Sequence, residues 1–270
     1  MRRRWAAPDP SQTMTQAFFL SALLALAISP GVAGPAKAQA LDTEALQPPQ
    51  TVLVEAPAST PAPTLDKVAF LTALARIEAD VKLGVLFVHD GADDKAVVHF
   101  AAPRAETIPV IAETLHSLGL VDFEARFADL EAASGDDAVK AAVKQALREL
   151  SKARLKVRPT AQQKIQSIEA QLVAAAALFN PDGLTEVADF QDAWGIVMVA
   201  RDQIDLFARG KDSTLLGRTP DPALITGAQD LGALVDNVMI DLPDPAIPVP
   251  VPFDPASITA LIAELAVLAG

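Results

Sequence analysis

Eight consecutive residues, Ala193 to Ala200 (AWGIVMVA), carry no polar side chain. They lie inside a longer stretch with helical spacing, and a helix that is apolar on every face has to sit at the centre of its bundle. The rest of the chain offers such a helix only helical partners. No run alternates apolar and polar residues in the strand period, apart from VLVEA at 52–56 inside a Pro-rich segment. Helical spacing instead recurs between turn signals. It runs from an N-cap at Thr64 through Val68, Leu71, Ile77, Val81, Val85 and Val88 to Gly91, and then over Lys95 to Ala101, stopping at Pro103. It resumes over Ala105–Ser117, Val121–Ala133 and Asp136–Arg154. Thr160 and Gln163 form a capping box ahead of a helix reaching Asn180. Leu184 to Ala208 reads as one long helix, and Asp221-Pro222 opens another to Ile240. The pattern predicts an all-α fold, an irregular bundle of about eight or nine helices, with the domain proper over residues 65–240.

Both ends carry segments of a different kind. Arg2, Arg3 and Arg4, the apolar run Ala17–Ser29 and the small-residue motif Ala38-Gln39-Ala40 have the form of a secretory signal peptide over residues 1–40. The apolar run is shorter than the roughly 20 residues that span a bilayer. Residues 41–64 hold five prolines and read as a Pro-rich linker. Residues 241–254 form a second Pro-rich segment, a strap leading to a short apolar helix at 255–270. That helix is too short to stand alone and must dock on the bundle.

Charge narrows the function. The chain has 22 Lys plus Arg against 34 Asp plus Glu, a formal −12; removing residues 1–40 leaves 18 against 33, or −15. Such a surface argues against nucleic-acid binding and against anionic membranes. There is no Cys, hence no disulfide, thiolate metal site or Cys nucleophile, and no Tyr, with aromatics at 5%. No G-x-S-x-G, Walker, H-E-x-x-H or G-x-G-x-x-G motif is present. The expected product is an exported protein, periplasmic or secreted, with no stable membrane insertion after cleavage.

Two segments can carry chemistry. Glu186, Asp189 and Asp192 are spaced by three along one helix, and Asp192 abuts the apolar octet. A carboxylate entering a core is paired, protonated or bound to a metal; Glu186 and Asp189 equally suit a solvated first turn, with Asp192 bonded to a neighbouring helix. In the second segment Pro103 ends one helix and Glu106 opens the next, so His99 and Glu106 can meet across a helix–turn–helix corner. Imidazole with carboxylates suits a divalent ion such as zinc or iron, while a lone His at a helix C-terminus also serves as a dipole partner. His89 and His116 fit that plainer role. The acidic turn Asp90–Asp94 lacks the length and closing Glu of a calcium loop.

Asp189-Phe190-Gln191-Asp192-Ala193 with Gly195 and Val199-Ala200-Arg201 is similar to the E-Y-Q-D-A-x-G-F…A-R stretch of a group of secreted helical bacterial proteins. His99-x-x-x-Pro103-x-x-Glu106 resembles that group's H-x-x-H-P-x-x-E segment. The architecture resembles that of imelysin-like periplasmic proteins, some of which are associated with metal or haem uptake. Asp80 and Ala102 stand where the group has His, and the imelysin G-x-H-x-x-E signature is absent. The resemblance spans about 65–205; if that group's His-rich corner binds a metal, it implies that this chain keeps His99 and Glu106 there with Asp80 and Asp192 as substitutes, a site either altered or lost to leave a scaffold.

These readings together point to a non-enzymatic periplasmic protein that binds a metal or another small ligand. The alternative is a structural or interaction protein of the envelope that recognises another envelope protein, and the least favoured is a metal-dependent hydrolase. Intact-mass measurement of the exported protein is expected to show a mature chain beginning at Leu41; a start well away from it contradicts the reading of residues 1–40.

Overall fold

The computed structural model describes residues 65–212, 215 and 220–269. The signal peptide (1–40), the linker (41–64) and the Thr64 cap lie outside them. The first described helix, α1 (Lys67–His89), is instead capped by Asp66, whose carboxylate accepts the Ala69 N–H at 3.0 Å. There follow α2 (Asp93–Ala102), a π-helical turn (Pro103–Thr107), α3 (Ile108–Ser117), α4 (Phe123–Ala132), α5 (Asp136–Val157) and α6 (Ala161–Leu178). After these come β1 (Leu184–Thr185), α7 (Val187–Ala208), α8 (Pro222–Asp241), β2 (Val251–Pro252) and α9 (Ala256–Ala269). The fold of the described residues is all-α, and they fall within one compact unit.

Local chemistry accounts for most boundaries. Thr160 and Gln163 satisfy each other's backbone N–H in the expected capping box at the start of α6. Asp221 caps α8 with Pro222 in its first turn. Gly135, at φ 81°, turns the chain into α5 in a conformation that other residues rarely adopt.

Two further boundaries differ from expectation in kind. Pro103 does not end a helix. The chain passes through it as a π turn in which the Ile108 N–H reaches back to the Pro103 carbonyl. Pro103 lacks an N–H and its ring crowds the carbonyl four residues earlier; the wider π winding accommodates both and keeps α2, the π turn and α3 one continuous rod. The expected helix–turn–helix corner between His99 and Glu106 is therefore not formed. The second difference is at Leu184, where a helix was expected to begin. Leu184 and Thr185 instead pair antiparallel with Pro252 and Val251, and the helix starts at Val187. Thr185 is anchored there by accepting the Asn180 N–H at 3.0 Å.

Two apolar clusters make up the core. One gathers α6, α7, α8 and α9; the other gathers α2 to α5. Helix α1 belongs to both, giving Ala75 and Ala79 to the first and Leu74, Ile77, Val81, Leu83 and Phe87 to the second. Of the apolar octet on α7, Ala193, Gly195, Ile196, Val197, Val199 and Ala200 are buried. The centre is thus a pair of helices, α1 and α7. They run in the same general direction, since Arg76 meets Asp192 and Lys82 meets Asp202. Helix α9 packs on α6 and α8 through Ile258, Leu261 and Leu265. The strap is tied down by the Gln191 side chain, which donates to the Pro245 carbonyl at 2.8 Å, and by Lys95, which donates to the Ala246 carbonyl at 3.1 Å.

A close approach holds α2 to α1. A Cβ on Gly84 would lie 2.3 Å from the buried ring of Phe100. Gly84→Val is expected to cost about 1–3 kcal/mol through overpacking, read as a lowered midpoint of urea unfolding; an unchanged midpoint contradicts this packing.

Candidate functional site

The α1–α7 pair brings charged groups into the interior because α1 is not purely apolar. Arg76, Glu78, Asp80 and Lys82 alternate along its middle. Residues four apart share a helix face, so Arg76 and Asp80 point one way and Glu78 and Lys82 another. The second pair is fully matched. Glu78 lies 2.8 Å from Lys82 and 2.6 Å from Arg154 of α5, and Lys82 lies 2.7 Å from Asp202 of α7. Burial alone would raise the Glu78 pKa, but Arg154 and Lys82 outweigh it and hold it at about 2. Burial would likewise lower that of Lys82, and Glu78 and Asp202 reverse this, leaving it raised.

The first pair is not matched. Asp80 from α1, His99 from the last turn of α2 and Asp192 from α7 each offer a ligand atom, and those atoms all lie within 4.8 Å of one another. His99 Nδ1 is 3.5 Å from Asp80 Oδ1, and both side chains are buried. The His99 ring stacks on Phe87 with centroids 5.3 Å apart, which fixes its plane. Arg76 is the cation in contact with Asp192, at 3.0 Å from Oδ2, and its guanidinium also faces Glu106 at 3.4 Å. Burial, reinforced by the charge of Asp80, nevertheless raises the Asp192 pKa to about 6 against the pull of Arg76 and His99. Asp80 is also raised, by burial above all, with the His99 contact opposing. Arg76 and His99 do not offset the desolvation of buried Asp80 and half-buried Asp192, with a third carboxylate, Glu106, beside them.

Of the four residues named from the sequence, the fold therefore assembles Asp80, His99 and Asp192. Glu106 stands outside that trio, half-exposed on Arg76, because the π turn carries it past His99 along one rod and not around a corner. Glu186 and Asp189 are exposed at the start of α7, and His89 and His116 are exposed as well. Sequence reasoning missed Arg76, which bridges Asp192 and Glu106, and the ion pairs of Glu78. Charges at every second position inside an otherwise apolar helix are the signal that could have found them. It also missed a pair between Lys164 and Asp212 at 3.2 Å, both buried, where burial above all lowers the Lys164 pKa. Gln171 and Gln203, buried between α6 and α7, exchange amide hydrogen bonds at 3.4 Å.

No protein-family model, curated protein or solved structure matches the chain.

The raised Asp192 pKa has a sign that can be checked. A carboxyl whose folded pKa lies above its unfolded value contributes stability while protonated, and that contribution is lost as pH rises through the folded value. Without added metal, the protein is expected to lose stability between pH 4 and 7 through Asp192, with Asp80 adding in the same direction. Asp192→Asn is expected to flatten that slope in thermal melts. Glu78 acts oppositely and lower: its contribution is present above its usual pKa and falls away as pH drops towards about 2. Parallel wild-type and Asp192→Asn slopes contradict the assignment.

Proposed function

We propose that this chain is an exported, non-enzymatic binding protein whose ligand is a divalent cation held by Asp80, His99 and Asp192. The observation that carries this reading is the under-neutralised trio: two carboxylates and an imidazole within 4.8 Å, one carboxyl pushed up to about 6 in spite of Arg76. A divalent ion supplies the missing positive charge, and a mixed imidazole–carboxylate set suits zinc or iron. Asp80 and His99 are the buried members, while Asp192 keeps 28% of its side-chain surface, so an ion would enter beside Asp192. Binding there releases the proton that Asp192 holds below pH 6 and so strengthens as pH rises. The export half of the proposal rests on Arg2–Arg4, the apolar run and Ala38-Gln39-Ala40. No helix among the described residues is long and apolar enough to cross a membrane.

A second reading has its own observation, the 3.0 Å contact between Arg76 and Asp192. On this reading the cluster is a structural joint between α1 and α7 in an envelope interaction protein. Arg76 and Asp192 keep 37% and 28% of their side-chain surface, so removing one partner is expected to cost less than the about 3–5 kcal/mol of a fully buried pair.

Thermal melts of the full mature chain separate the two. With zinc, manganese or ferrous ion at a hundredfold excess over Kd, the metal reading expects stabilisation of about 2.7 kcal/mol, a rise of roughly 5–10 °C for a domain of this size. Asp192→Asn is expected to abolish that rise while the apo midpoint stays equal or increases. A wild type unmoved by all three ions, together with a variant that melts several degrees lower, overturns the metal site in favour of the structural joint.

A further inference from the structure

Away from the trio, the outer faces of α1 and α5 leave a groove of about 910 Å³ open to solvent. Its floor is apolar: Val85 and Val88 from the end of α1, and Val143, Leu147 and Leu155 from α5. Val85 is 41% and Leu155 36% exposed, which is apolar surface left uncovered among the described residues. Along one edge stand Lys140, Lys144, Arg148 and Lys152, spaced by four and all exposed. Lys152 is held by Glu149 at 2.6 Å. The other three make no ion pair among the described residues. In a chain of net charge −12, this edge is a local reversal of sign.

We infer that the groove between α1 and α5 is a docking site for an acidic amphipathic helix of a partner protein. Three features select that occupant. The cations occupy an i±4 ridge of α5, one of the ridges against which a second helix packs, and at 1.5 Å per residue the row is about 18 Å long. Carboxylates repeated every fourth residue on a docked helix would meet it step for step. The apolar floor beside the ridge fits the apolar face of the same helix, which lies in a groove through positions i, i+3, i+4 and i+7. A single fatty acid answers one cation and leaves the remainder of the row unmatched. A lipid surface is too flat to reach the floor, and an anionic one is repelled by the rest of the protein.

The test uses the full mature chain and a fluorescein-labelled peptide of about five helical turns. The peptide carries Leu along one face and Glu at every fourth position on the flank. Fluorescence anisotropy is expected to show saturable binding at micromolar concentration that weakens with added salt, and a peptide with Lys replacing Glu is expected to bind at least about tenfold more weakly. Lys140→Glu, Lys144→Glu and Arg148→Glu combined, all on exposed positions and checked by an unchanged melt, are expected to raise the Kd about tenfold. Leu147→Asp is expected to weaken binding without altering the cationic row. Asp192→Asn is expected to leave peptide binding unchanged, since the groove is independent of the metal proposal. Absence of saturable binding up to about 100 µM, or an unaltered Kd in the charge-reversed protein, overturns the inference. So does displacement of the peptide by palmitate or by phosphatidylglycerol vesicles.

Discussion

The crossing of α1 and α7 is the contact on which the rest of the molecule depends. A Cβ on Gly195 would lie 2.6 Å from the Leu83 side chain and 3.3 Å from the Ala79 methyl, so the two helices approach as closely as a missing side chain permits. Each carries one carboxylate of the candidate site within a turn of that point: Asp80 follows Ala79, and Asp192 lies three residues before Gly195. Close packing of the backbones therefore determines how near the two acids come. Helix α2 completes the trio because it too is drawn tightly onto α1, at Gly84 against Phe100, which leaves His99 stacked on Phe87 and beside Asp80.

Two buried acids on one helix meet opposite fates, and the difference lies in their partners. Glu78 has Lys82 on its own helix and Arg154 from α5, and it stays ionised far below the usual carboxylate range. Asp80, two residues on, faces His99, Asp192 and Glu106, and the His99 contact and the charge of Arg76 do not offset its burial. Burial penalises both; specific opposite charges rescue one. The molecule thus holds a saturated ionic joint and an unsaturated one within a single turn of α1. Strained protonation equilibria of the second kind concentrate where proteins bind charged ligands.

The π turn and the strap show where local patterns were overridden. Pro103 carries a strong stop signal, yet the rod from α2 to α3 is continuous because a wider turn solves the lost N–H and the ring clash together. That one residue of register sends Glu106 to Arg76 and away from the trio. At the other end, the prolines of residues 242–255 keep the strap out of helix, and its path is set by Gln191, Lys95 and the two-residue ladder with Leu184 and Thr185. None of these partners is near the strap in sequence.

What the sequence by itself determined was the helical class, most helix ends and the central place of α7. Helical spacing, the Thr160–Gln163 box, Asp221-Pro222 and the apolar octet are each local, and local chemistry acts before the chain has a tertiary fold. It also marked Asp192 and His99 as residues with something to explain. The tertiary structure alone decided that α1 shares the centre, that Asp80 and not Glu106 joins His99 and Asp192, and that Arg76 is the cation in contact with Asp192. Those outcomes are fixed by side chains 19 to 116 positions apart, brought together only when α1, α2 and α7 pack. Spacing along a chain encodes which face of a helix a residue occupies, but not which helix will cover that face.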